Sequence, residues 1–283
     1  MNTIGLVVNS NKGDLSIPVR EVISWLAEQQ IKVLYNQESA TLLGCPEQGM
    51  PTRELGNHCD CIMVWGGDGT LLNCARQTAS TGIPIFGVNL GRLGFLTEID
   101  VPDLREKLQA LIAGHYYIEE RMMLETRLIR DDRVIEQALC LNDAVVSKGA
   151  SSRMVQLNIL VNNEFVGMFA ADGVIIASPT GSTAYSLSAG GPIISPDMEA
   201  VAITPICPHS LSSRPMVIAP ESIVEIKVLP CIENVGLNLD GQYGVALKGS
   251  DRILIKKAPI KARFLKIEKT GFFKVLREKL KEW

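Results

Sequence analysis

Residues 64–72 read VWGGDGTLL. The apolar run CIMVW (Cys61 to Trp65) leading into it has the length and residue content of a buried strand, and it stops at two glycines. Asp68, a third glycine and Thr70 follow, and from about Leu71 to Ala79 the apolar spacing becomes helical. A strand that turns through glycines into a helix is the first half of a βαβ unit, so the stretch predicts an α/β domain with a parallel sheet. It also sets one carboxylate, Asp68, among Gly66, Gly67 and Gly69, which a plain turn does not require.

The pattern repeats on both sides. TIGLVV, IKVLY and IPIFGV read as strands, with a helical period from Val19 to Gln29 and another in VPDLREKLQALIAG, which stops at Gly114. Past residue 115 the period changes to alternation. Hairpins are expected around Asp131-Asp132, Asn162-Asn163 and Asp240-Gly241, and SIVEIKVL, RILIKKA and ARFLKIE add further alternating runs. The expected fold is therefore an α/β N-terminal domain with a parallel sheet, residues 1–115, followed by a mostly antiparallel β-sandwich-like domain, residues 116–270. The helical tail 271–283 is expected to pack back onto the first domain.

Composition narrows the function. The 283 residues carry a net charge of −3 and 46% hydrophobic content, which fits a folded globular chain and advertises no basic surface for nucleic acid or an anionic membrane. The basic run KKAPIKARFLKIEK reads as a solvated strand face. No stretch has the form of a signal peptide or the length of a membrane span. The seven cysteines have no zinc-ligand spacing and read as reduced, mostly buried thiols of a cytoplasmic protein. His58, His115 and His209 suggest neither a metal site nor a triad; Trp25 and Trp65 read as core, and Trp283 as a frayed end.

Neither the Walker phosphate loop nor the dinucleotide fingerprint is present, which disfavours a dehydrogenase. Gly66, Gly67, Gly69 and Thr70 still share the physics of a phosphate loop. Glycine permits positive φ and close backbone approach to an anion, and the following helix offers its positive end. Asp68 can then orient an acceptor hydroxyl and take its proton, or help to hold Mg²⁺, or simply belong to an Asp-Gly turn.

A longer stretch decides among these. Residues 172–192 read DGVIIASPTGSTAYSLSAGGP: a buried strand (Val174 to Ala177), then small hydroxyl residues at a helix start, with Tyr185 offering a ring for stacking. In chain order, GGDGT, NLGRLGFLTE, LND, this long stretch, PICPHSLSSRP and LDGQ together resemble the NAD kinases over nearly the whole chain. The resemblance implies Mg-dependent phosphoryl transfer from ATP, or another phosphoryl donor, to the 2′-hydroxyl of the adenosine ribose of NAD. It also implies a divalent metal, and a homodimer or homotetramer with sites shared between subunits.

By the same resemblance Asp68 is the catalytic carboxylate, beside Gly69. The NAD contacts would include Asp68, Gly69, Asn142, Asp143, Arg153, Ala170, Asp172, Thr180, Thr183, Ala184, Tyr185, Ser186, Leu187, Ser188, Asp240 and Gln242. Asp143 stands where many members have Glu, and Ala170 stands where many have Arg, two residues before the acid near the nicotinamide ribose. That loss puts strict preference for NAD over NADH in question, unless another basic residue such as Arg153 compensates. The rivals are a diacylglycerol-type lipid kinase, which shares the glycine loop, and a non-catalytic dinucleotide-binding sensor. The first would gain from a basic or apolar membrane-facing patch, and the second would have lost Asp68.

Overall fold

The computed structural model describes residues 1–9, 15–90, 94–97, 99–149, 154–210, 212–229, 234–269 and 271–280. The chain divides into two compact units, Met1–Glu120 with Ala262–Trp283, and Arg121–Lys261.

The first unit alternates strands and helices in the order β1 (Thr3–Val8), α1 (Ser16–Glu28), β2 (Lys32–Asn36), α2 (Gln37–Leu42), β3 (Gly49–Met50), α3 (Thr52–Leu55), β4 (Cys61–Trp65), α4 (Asp68–Thr78), β5 (Pro84–Asn89), β6 (Ile99–Asp100) and α5 (Leu104–Ile112). Its sheet is parallel in the order β3-β2-β1-β4-β5. β6 and the pair Arg263–Phe264 also run parallel to β5. β4 is buried throughout, and β1 and β5 at all but their first residue; Leu6, Met63, Trp65 and Phe86 share a core with Leu26, Leu104 and Leu108 from the helices. Burying each such side chain stabilises the unit by roughly 1.5–3 kcal/mol.

From β1 the chain moves outward to β2 and β3, then returns to the opposite side of β1 for β4. Strand order reverses there, and the crevice beyond the carboxyl ends of β1 and β4 is where such sheets hold ligands. The glycine loop after β4 lies at that end.

The chain leaves the first unit along β7 (Tyr117–Arg130) and enters a set of antiparallel strands: β8 (Arg133–Cys140), β9 (Asp143–Lys148), β10 (Val155–Val161), β11 (Glu164–Ala171), β12 (Gly173–Ala177), β13 (Val201–Ile206), β14 (Met216–Ile218), β15 (Val224–Val228), β16 (Val235–Leu239) and β17 (Tyr243–Leu247). One layer has the order β14-β13-β12-β9-β16-β17. The other contains β11-β10-β15 with the first part of β18 (Arg252–Lys266), and β7 pairs with β8 and β18. The layers face each other across one core that joins Val146 and Ile176 to Leu157, Ile226 and Ile253. The structure is thus an α/β unit with a parallel sheet and a mostly antiparallel sandwich, the expected fold class.

All three hairpin turns are where the alternation breaks. Asp131, Asp132, Asn162, Asn163, Asp240 and Gly241 all have positive φ, the conformation that two-residue hairpin turns demand and that Asn, Asp and Gly tolerate. The helix start expected at PTGSTAY leads into a single helical turn. A 3-10 turn at Thr180–Thr183 is followed by the single turn α6 (Tyr185–Ser188). The tail forms α7 (Phe272–Leu280), none of whose residues is fully buried.

Candidate active site

Asp68 is the first residue of α4, placed by the burial of β4 before it and of Leu71, Leu72 and Ala75 after it. An acidic side chain in the first turn also suits the helix dipole. Its carboxylate is not loose. Oδ2 accepts from the Phe95 N–H at 2.7 Å, and Oδ1 from the Leu96 and Thr97 N–H groups, each at 3.2 Å, and from the Thr97 hydroxyl at 3.4 Å. Gly94 makes this approach possible, because any Cβ there would collide with Asp68 Oδ1.

Of the loop glycines, Gly66 acts by space. None of Gly66, Gly67 and Gly69 has a positive φ, contrary to the freedom expected of them. Gly66 is required because a Cβ would run into the Thr70 side chain, whereas a Cβ on Gly67 would have no heavy atom within 4 Å. Thr70 is held in turn by Asn9, whose amide donates to the Thr70 hydroxyl at 2.9 Å while its backbone N–H bonds Trp65 O at 2.9 Å. Sequence reasoning missed Asn9. The one signal available was its position just past the carboxyl end of β1.

The remaining described site residues lie in the second unit. Asp240, on its left-handed turn position, is buried and reaches back to three consecutive amides. Oδ2 accepts from Leu141 N at 3.0 Å; Oδ1 accepts from Asn142 N at 2.7 Å and Asp143 N at 3.2 Å. From another side, the Ser178 N–H donates to Asn142 O at 2.8 Å and the Ser178 hydroxyl donates to Leu141 O. A Cβ on Gly181 would strike the Asn142 carbonyl. Asp143 is buried beside Asp240, and its carboxyl is pushed up to about 7, first by burial and then by the Asp240 charge.

The Ser/Thr-rich stretch sorts into buried and open hydroxyls. Ser182 donates to Pro179 O and accepts from Ile194 N, and Ser186 bonds the Thr204 hydroxyl at 2.9 Å; both serines are fully buried. Thr180 is buried too, Thr183, Ala184 and Leu187 are half-buried, and Tyr185 and Ser188 are exposed. Gln242 is exposed and its N–H closes the turn onto Leu239 O. Ala170 offers its carbonyl to the His209 N–H. Two residues on, Asp172 pairs with Lys148 at 2.8 Å. Arg153 lies outside the described residues.

A glycine loop at the sheet's switch point, carrying a fixed carboxylate at a helix start, has the parts that a phosphotransferase uses. The comparisons specify which. The family model for the ATP-NAD kinase N-terminal domain matches residues 4–116, and that for the ATP-NAD kinase C-terminal domain matches residues 141–267. The NAD kinase of Desulforamulus reducens is 80% identical over 283 residues, covering 100% of this chain and 98% of that protein. Yeast NADH kinase, solved with NADH, superposes with a TM-score of 0.90 at 28% identity, covering 99% of this chain and 88% of that one. An NAD kinase from Archaeoglobus fulgidus, solved with ATP, gives 0.78 at 27% identity with 99% of both chains covered. The chain belongs to the NAD kinase family.

Proposed function

We propose that the chain transfers the terminal phosphoryl group of ATP, or of another phosphoryl donor, to the 2′-hydroxyl of the adenosine ribose of NAD, and that Asp68 is the catalytic carboxylate. The observation that carries the role of Asp68 is its anchoring. Oδ1 is engaged by two amides and a hydroxyl, whereas among the described residues Oδ2 receives one short bond. A carboxylate oxygen has two acceptor positions, so Oδ2 retains one for a substrate hydroxyl. The 2′-hydroxyl proton passes to Oδ2 as its oxygen bonds to phosphorus, and the bond from phosphorus to the leaving diphosphate breaks.

The dinucleotide is assigned to Asn142, Asp143, Arg153, Ala170, Asp172, Gln242, Thr180 and the stretch 183–188, with Asp240 joined to them by its bonds to Asn142 and Asp143. Within that stretch the open surface of Tyr185 and Ser188 favours side-chain contact, and the buried Ser186 favours a backbone role. The division at residues 115 and 116 belongs to the same reading and is supported by the two family matches. NAD and ATP as substrates are supported by the complexes of the two solved relatives with NADH and ATP.

A divalent ion, Mg²⁺ by the family resemblance, fits the residues present. No group of three His, Cys, Asp or Glu that could cage a metal gathers among the described residues. Mg²⁺ asks for less than a cage, since it keeps several waters and commonly binds through substrate phosphates, so Asp68, whose open acceptor position is assigned to the hydroxyl, would meet it through one of those waters. When bound, the ion would neutralise charge on the transferred phosphoryl group.

A cytoplasmic location is supported by the free thiols at Cys45, Cys59, Cys61, Cys74, Cys140 and Cys207. A homodimer or homotetramer with shared sites is supported by the family resemblance and by exposed Phe165 and Met168 on β11, at the edge of its layer.

The test is formation of NADP and NADPH from NAD and NADH with Mg·ATP, comparing the wild type with Asp68→Asn. NADP formation that falls by about 10²–10⁴ in the variant, with NAD binding retained, is the expected result. NAD bound without product from either dinucleotide would overturn ATP-dependent transfer.

A further inference from the structure

Asp240 was expected among the NAD contacts, yet most of its acceptor capacity is spent inside the protein. Three consecutive amides, Leu141, Asn142 and Asp143, converge on its two oxygens. Only a short carboxylate on a sharply reversing turn can be placed this way, and Asp240 holds φ +53° to do it. Its own N–H donates back to Asp143 O at 3.0 Å, so the contact runs in both directions. Ser178 grips the carbonyls of Leu141 and Asn142, and the absence of a side chain at Gly181 leaves the space that the Asn142 carbonyl fills.

We propose that Asp240 is a positioning residue: with Ser178 and Gly181 it clamps the Leu141-Asn142-Asp143 backbone from two sides, and it acts on the dinucleotide only through Asn142 and Asp143. The inference rests on the assignment of those two residues to dinucleotide binding. A backbone whose N–H and C=O are both fixed presents its side chains along one direction, so the free-energy cost of ordering Asn142 and Asp143 is met before the substrate arrives. Asp240 has a second effect. Burial favours the protonated form of the Asp143 carboxyl, and the negative charge of Asp240 beside it adds to that preference, so the clamp also influences whether position 143 donates or accepts a hydrogen bond.

Asp240→Asn in the full chain tests this with readouts that need no turnover. In the ligand-free variant, hydrogen exchange at Asn142 and Asp143 should accelerate by about tenfold or more, because charge-assisted bonds to the amides are weakened. The titration midpoint of the Asp143 carboxyl, followed by carbon-detected NMR, should move to lower pH. With NAD and Mg·ATP, KM for NAD should rise by about tenfold while kcat falls less.

Unchanged exchange and an unchanged midpoint, beside a large loss of kcat, would overturn the proposal and make Asp240 a direct substrate contact. If Asp240→Asn does not fold, Ser178→Ala carries the test. It leaves the carboxylate intact, and unaltered exchange at Asn142 together with an unaltered KM would equally overturn the clamp. Absence of NADP formation by the wild type would instead strike the kinase assignment, leaving the exchange and titration results to judge the clamp by themselves.

Discussion

Lys148 Nζ stands 2.8 Å from Asp172 Oδ1, and both side chains are about one-third exposed, at 30% and 36%. The pair supplies a positive charge beside the acid in a chain whose position 170 is alanine. Arg153 is one residue that could compensate for Ala170, and Lys148 is a second candidate for that role. Asp172, assigned to the nicotinamide end, would attract the cationic oxidised ring, and Lys148 offsets that attraction. Replacing Lys148 by Met should raise the ratio of kcat/KM for NAD to that for NADH by about two- to fivefold, a modest effect because the pair is partly solvated. An unchanged ratio would remove Lys148 from selectivity.

Gly94→Ala should separate the placement of Asp68 from its presence. The added methyl collides with Asp68 Oδ1 and the Thr97 hydroxyl, and both belong to the bond set that fixes the carboxylate. Steady-state kinetics should show kcat lowered by about 10²-fold, in keeping with a small misplacement of a catalytic group, while NAD affinity stays near the wild-type value. A fully active variant would show that the anchoring has no catalytic consequence.

The raised Asp143 carboxyl makes stability depend on pH. Its folded value is pushed up to about 7, whereas the unfolded chain has an ordinary aspartate near 3.9. The folded state therefore holds the proton more tightly. This contribution is fully present below about pH 4 and is lost as pH rises toward and through about 7. In thermal melts, the Tm difference between Asp143→Asn and the wild type should grow in favour of the variant across that window. A difference independent of pH would show that Asp143 does not titrate there.

Arg130 and Asp251 form a two-pronged ion pair, Nε to Oδ1 at 2.8 Å and Nη2 to Oδ2 at 2.7 Å, with Asp251 only 1% exposed. Removing the guanidinium in Arg130→Ala leaves a buried carboxylate supported by the Lys248 N–H. Denaturant unfolding should show a loss of roughly 3 kcal/mol. A loss below about 0.5 kcal/mol, typical of exposed pairs, would count against a buried role.

Much of the architecture is written in local pattern. CIMVW is a strand because five buried apolar residues in a row suit the interior of a parallel sheet, and β4 covers those residues. The hairpins at Asp131-Asp132 and Asn162-Asn163 follow from residue types that tolerate positive φ between alternating runs. The short elements α2, β3 and α3 gave no such signal, since a few residues carry too little periodicity to be read. The helix start at PTGSTAY was legible in its small hydroxyl residues, but not that Ser182 and Ser186 spend their hydroxyls on Ile194 and Thr204.

The sequence by itself determined the fold class, the family and the placing of one carboxylate in a glycine loop between strand and helix, because these depend on residues close together in the chain. Tertiary structure alone decided what holds that carboxylate. Asp68 meets amides 27–29 residues away, and Asp240 meets amides 97–99 residues away. Backbone N–H groups are nearly the same at every position, so no residue type marks which of them a folded chain will bring to a side chain.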